Sequence, residues 1–229
     1  MSHEGISPQW LRYESAAEVA AATVACILDC AQRAIAERGV FRFVLAGGTT
    51  PRHAYEQLRD ADTDWSRWEV FFGDERCLPA DDPERNSVMA SKALTDHVPI
   101  PPENIYIIPA EQGAEAAAES YRACIDSHRP FDLVLLGMGE DGHTASLFPG
   151  HVHNVNETVH AVHDAPKPPP DRVSLSAMAL GNTRELLILV TGTGKQDAVR
   201  QWQAGESLPV AQVNPDLAKV LIDDDAWPA

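Results

Sequence analysis

The residues best suited to chemistry stand in short glycine-containing segments. Residues 137–143, GMGEDGH, end an apolar run and place His143 two positions after Asp141. An imidazole changes charge near neutrality, so a neutral His143 could take a proton from water, with Asp141 orienting the ring. The residues that follow read as a helix start, and a lone histidine there is more often structural than catalytic. Residues 73–76, GDER, bring Asp74, Glu75 and Arg76 directly after another apolar run. The acids suit sugar hydroxyls or proton transfer, and the arginine suits an anion or an oxyanion. Internal pairing of Arg76 with Asp74 would explain the same residues.

Two further segments suit phosphate. In LAGGTTP, residues 45–51, Gly47 and Gly48 allow close backbone approach, and the helix that follows from Thr49 offers free N–H groups at its positive end. Thr50 is the expected cap and Pro51 the first helical residue. A tight capped turn would look the same, so this loop alone leaves phosphate binding open. VTGTGK, residues 190–195, repeats the pattern and adds Lys195, while Arg172 precedes the alternating run VSLSAMAL. Alone, Arg172 reads equally as a solvated arginine at a strand start. Neither glycine loop has the Walker or GxGxxG spacing, which disfavours nucleotide binding by those routes. The convergence of these segments gives His143 a functional reading.

Positioning them requires strands that end together. Apolar runs at 40–48, 68–72, 104–110, 131–139, 158–163, 172–176 and 186–191 alternate with helical patterns. The clearest helix is 15–38, with Ser15 as N-cap and Gly39 at its end; others are expected from Thr50, over 82–97 opened by Asp82 and Pro83, and over 113–128. Strand–helix alternation predicts an α/β fold with a Rossmann-like, mainly parallel sheet flanked by helices on both faces. Ligands of such sheets bind beyond the carboxyl ends of the strands. The proline-rich DAPKPPP at 164–170 reads as a surface connection, so a single domain spanning 1–229 is expected, with a subsidiary lobe near 60–100 or at the C-terminal end as a variant.

Of 229 residues, 44% are hydrophobic and the net charge is −16. The acidic balance argues against nucleic-acid partners and requires a local cationic cluster if the ligand is an anion. No run approaches ~18 consecutive apolar residues, so no membrane span is expected. Cys26, Cys30, Cys77 and Cys124 lack CxxC spacing and read as core residues in a reducing, cytoplasmic setting.

Together, VLAGGTTP, WEVFFGDER, FDLVLLGMGEDGHTASLFPG and GTGK, in this order, resemble the 6-phosphogluconolactonases, relatives of the glucosamine-6-phosphate isomerases. The resemblance covers nearly the whole chain. GDER and the DGH segment are specific, whereas GGTTP is not. The resemblance implies hydrolysis of 6-phospho-glucono-1,5-lactone in the pentose phosphate pathway, without metal or organic cofactor. It implies His143 as general base, Asp141 as its support and Arg76 as a site arginine. Gly47, Gly48, Thr49, Arg172 and Lys195 would lie near the phosphate, and Asp74 would contact substrate. The only partner implied is a small-molecule substrate; a monomer is expected, with a weak homodimer as the alternative.

Two rivals remain. In the isomerase and deaminase branch, an Asn-Glu-Pro stretch follows DGH, and its glutamate supports the histidine. Here Leu147, Phe148 and Pro149 correspond, and Phe148 cannot relay a proton. A non-catalytic sugar-phosphate-binding regulatory module would need a DNA-binding or partner-binding segment, for which the sequence before the first strand leaves no room.

Overall fold

A computed structural model describes residues 8–214 and 216–228. Among these described residues, ten strands form two sheets. They are β1 (Gln9–Tyr13), β2 (Phe41–Leu45), β3 (Trp68–Phe72), β4 (Asp74–Arg76), β5 (Ile105–Tyr106), β6 (Phe131–Gly137), β7 (Val159–Val162), β8 (Arg172–Leu175), β9 (Thr183–Val190) and β10 (Ala218–Asp223). The larger sheet runs β1-β10-β9-β6-β2-β3-β5, and every pair in it is parallel. The smaller, β4-β8-β7, is antiparallel. The helices are α1 (Ala16–Arg38), α2 (Thr49–Leu58), α3 (Asn86–Ala90), α4 (Ala114–His128), α5 (Ala177–Gly181) and α6 (Gln196–Gln203).

The expected α/β architecture is present. Strands β2, β3, β6 and β9 are buried along most of their length, which explains their nearly continuous apolar sequences. Chain order reverses between β2, which leads outward to β3, and β6, which leads the other way to β9 and β10. The crevice above such a reversal is where ligands of doubly wound sheets bind.

Helix α1 begins where Ser15 accepts the Glu18 N–H and ends where Gly39 adopts φ 76°, as its sequence predicts. Its most apolar 18-residue window has a mean hydropathy of 1.5, so this helix has the length and composition of a membrane span. Alanines interspersed with polar residues give that average without an unbroken apolar run. The helix places Val19, Ile27, Cys30 and Ala34 in the core and packs on α2 and on β10, β2 and β6.

Several expectations are corrected. Helix α2 starts at Thr49 behind Gly48, whose φ of 109° suits glycine, so Thr50 is not the cap. The Thr50 hydroxyl instead meets that of Thr191 at 2.6 Å, tying α2 to the end of β9. The helix expected at 82–97 starts only at Asn86, because Asp82 caps a preceding turn through the Glu84 N–H, and it continues as a π-type turn over Ser91–Thr95. The strand expected at 104–110 shortens to an edge pair, Ile105–Tyr106. No helix follows His143: Ala145 takes φ 48°, and Thr144 and Leu147 form a bridged turn. Strands β1 and β10, which pair with each other, were not anticipated.

Candidate active site

A cavity of about 470 Å³ opens at the carboxyl ends of β2, β3, β6 and β9. Gly47, Gly48, Thr49, Asp74, Arg76, His143, Arg172 and Lys195 all line it. Asp141 stands behind His143 rather than in the wall.

The histidine is set by a tight turn. Gly139 N–H donates to the His143 carbonyl at 2.8 Å, and Gly142 takes φ 78° to make the reversal. Side chains at these glycines would collide: a Cβ on Gly139 would lie 2.0 Å from His143 Nδ1, and one on Gly142 would lie 2.7 Å from Leu208 Cδ1. Asp141 Oδ1 lies 2.5 Å from His143 Nδ1 and also accepts the His143 N–H. Burial pushes the Asp141 carboxyl up, but its hydrogen bonds to His143 outweigh this and hold it below its ordinary value. The His143 ring packs on Phe148, with centroids 4.8 Å apart. Phe148 thus supplies an apolar wall beside the imidazole.

The GDER segment divides its labour. Arg76 does not neutralise Asp74. It donates to the Glu84 carbonyl, and its buried Nε has no partner among the described residues. Asp74 is nearly buried and accepts from Asn86 Nδ2 at 2.9 Å and from Ser146 Oγ at 2.7 Å. Glu75, read from sequence as an acid for sugar hydroxyls or proton transfer, is fully buried away from the cavity. It accepts the N–H groups of Asn86 and Ser87 and lies 3.4 Å from the equally buried Arg85. It anchors the start of α3, because the N–H groups opening a helix need an acceptor. Arg85 and Asn86 were not singled out from sequence; they fell inside the helix expected over 82–97.

The cationic side of the cavity is built across the small sheet. Arg76 and Arg172 are paired residues of β4 and β8. Arg172 is 5% exposed, not solvated. Its Nε donates to Pro169 O, and its Nη2 donates to Lys167 O and Pro168 O. Its guanidinium lies 5.5 Å above the Phe148 ring. Burial lowers its pKa; Asp74 opposes the shift and Arg76 adds to it. Burial also pulls Lys195 below the ordinary lysine value, with Glu140 opposing. At the amide side, Gly47 approaches Asn86 so closely that a Cβ there would lie 2.0 Å from its Oδ1. The N-terminus of α2 follows with no side-chain cap, leaving its first N–H groups toward the cavity. Cations and helix amides on one side and a carboxylate-backed imidazole on another suit a small anionic substrate.

Several known proteins are similar to this chain. A "6-phosphogluconolactonase" of Mycobacterium leprae is 38% identical over 215 residues, covering 85% of this chain and 87% of its own. A "probable 6-phosphogluconolactonase 3, chloroplastic" of rice is 37% identical, and the match spans 79% of this chain and 63% of that longer protein. The crystal structure of 6-phosphogluconolactonase from Thermotoga maritima superimposes with a TM-score of 0.87 at 28% identity, covering 94% of this chain and 99% of that one. The family model described as glucosamine-6-phosphate isomerases/6-phosphogluconolactonase matches residues 14–222, the stretch that builds both sheets apart from β1 and the last residue of β10. By sequence, fold and the strand ends that form its cavity, the chain belongs to the glucosamine-6-phosphate isomerase/6-phosphogluconolactonase family.

Proposed function

We propose that the chain hydrolyses 6-phospho-glucono-1,5-lactone to 6-phosphogluconate, as its relatives' names indicate for them. The observation that carries the reading is the His143–Asp141 pair facing one cavity with Arg76, Arg172 and Lys195. Lys195, Arg172 and the α2 amides hold the phosphate, several bonds from the reacting carbon, and that binding fixes the lactone carbonyl near His143. His143 Nε2 takes a proton from water while the water oxygen bonds to C1. The carbonyl electrons move onto oxygen, and Arg76, whose Nε is unpaired, or a backbone amide holds the oxyanion. Collapse of the oxyanion breaks the bond from C1 to the ring oxygen, which takes the proton back from Nε2. No cofactor enters this balance. Phe148 removes the carboxylate that ring-opening isomerisation would use.

Residues 1–229 act as one domain in this reading, because the cavity draws on segments from residue 45 to residue 195. Four free cysteines support a reducing, cytoplasmic setting.

The test generates the lactone in place with glucose-6-phosphate dehydrogenase and follows its disappearance with and without this protein. The expected result is a rate well above spontaneous hydrolysis. An unchanged rate rejects the proposal, and turnover of glucosamine-6-phosphate instead would assign the isomerase chemistry.

A further inference from the structure

The proline-rich connection between β7 and β8 does more than cover surface. Lys167 and Pro168 line the cavity. The connection is pinned from below by Arg172, which spends its Nε and Nη2 on the carbonyls of Lys167, Pro168 and Pro169 at 3.0–3.1 Å. The Ala165 N–H closes the same loop on Pro170 O at 3.0 Å. Successive prolines fix φ and limit the alternatives open to the backbone. Lys167 is therefore presented from a fixed backbone, while its side chain is half exposed at the cavity rim.

Its charge is already parked on an anion. Lys167 Nζ lies 3.9 Å from Glu140 Oε2. Glu140 belongs to the turn that carries His143, and its carboxylate also reaches Gly194, where a Cβ would lie 3.1 Å from Glu140 Oε1. Gly194 precedes Lys195, another residue of the cavity wall. So one exposed carboxylate sits at the rim among groups suited to a more highly charged anion. Among the described residues, Arg172 has only Nη1 left without a hydrogen bond, so it serves an anion less than its position suggests.

We propose that Lys167 is a further substrate-binding residue, which takes hold of the phosphate group once that group displaces Glu140 from the ammonium, and that Arg172 is the positioning residue that aims it. The identity of the phosphorylated ligand rests on the lactonase reading. An exposed Lys–Glu pair is weak, whereas a phosphate brings nearly twice the charge and several strong acceptors. The exchange therefore favours substrate. Unphosphorylated lactone has nothing to offer Lys167, which makes the residue a determinant of selectivity for phosphate esters.

The test measures calorimetric affinity for 6-phosphogluconate and for gluconate in wild type, Lys167→Ala and Lys167→Arg, beside lactone turnover. Lys167→Ala should weaken 6-phosphogluconate binding by roughly tenfold or more, the size of one charge-assisted hydrogen bond. It should leave kcat at saturation within about threefold, since the contact is remote from the reacting carbon. Lys167→Arg should recover most of the affinity, and gluconate should not distinguish the variants. Equal 6-phosphogluconate affinity in wild type and Lys167→Ala overturns the proposal, as does a parallel loss for gluconate. Failure of the lactonase reading shows separately, as wild type that does not turn over lactone. If that wild type still binds 6-phosphogluconate, the comparison of variants decides on Lys167; if it binds neither, both readings fall.

Discussion

His143 Nδ1 is held 2.5 Å from Asp141 Oδ1, so Nε2 is the ring nitrogen left for chemistry. The carboxylate can only accept, which places the ring proton on Nδ1 and the lone pair on Nε2. Phe148 fixes the face of the same ring from the other side.

Replacing His143 with Ala should lower kcat by roughly 10²–10⁴-fold, the usual worth of a general base. KM should stay within about threefold, because the groups proposed for the phosphate are untouched. Steady-state kinetics on freshly generated lactone give both numbers, and near-normal turnover would remove His143 from its proposed role.

Asp141→Asn should be milder. An amide can meet the ring as donor or acceptor and no longer selects one tautomer, so kcat should fall by about 10²-fold. A kcat equal to that of wild type would show that Asp141 only shapes the turn.

Gly47→Ala probes the floor. Its Cβ would meet Asn86 Oδ1 at 2.0 Å, and displacing Asn86 breaks the 2.9 Å bond to Asp74. Both Tm and kcat/KM should fall. In Gly47→Ala/Asn86→Ala the clash is gone, so Tm should partly recover while kcat/KM does not. Recovery of both together would show that Asn86 contributes nothing beyond packing.

Phosphate recognition should weaken early on the alkaline side. Burial lowers the pKa of Lys195, so its ammonium is lost, as pH rises, before that of an ordinary lysine. Affinity for 6-phosphogluconate should drop across that range by up to about tenfold, as one charged contact is lost. Gluconate affinity should stay flat. Lys195→Arg should abolish the slope, because a guanidinium stays charged.

A second pH effect concerns stability. His163 lies 2.7 Å from Asp171 and 2.8 Å from Glu115, linking the β7–β8 connection to α4, and its bond to Asp171 leads the rise in its pKa. A raised folded value means the stabilisation is complete below the unfolded value, near ~6.5, and fades as pH climbs through the folded one. His163→Gln should therefore lower Tm slightly at pH 5 and leave it unchanged at pH 9. The effect should be small because the ring is 47% exposed.

The strand ends were legible because each couples a buried run to glycines and charged residues, and buried parallel strands need that change of composition where they meet a ligand. The His143–Asp141 contact was legible for a local reason: residues two apart meet when a glycine such as Gly142 reverses the chain. The commitment of Arg172 was not, because its acceptors are carbonyls, which leave no side-chain trace. Glu75 and Arg85 hid for a similar reason, since buried ion pairs use the same residue types as a solvated loop. Thr50 lost the cap to Gly48 because the paired glycines let the helix begin two residues earlier. The pairing of β1 with β10 joins Gln9 to Lys219, and no local periodicity reports a partner so remote.

The alignment of Arg76 opposite Arg172 also bears on how activity arises as the chain folds. The two arginines come from segments far apart in sequence, and the antiparallel register of β4 on β8 sets one opposite the other. Non-local pairings of this kind form slowly, so the register that builds the anion site should be among the last to close. A refolding chain should regain its helical signal first and its anion site last, and a half-folded chain would capture no substrate.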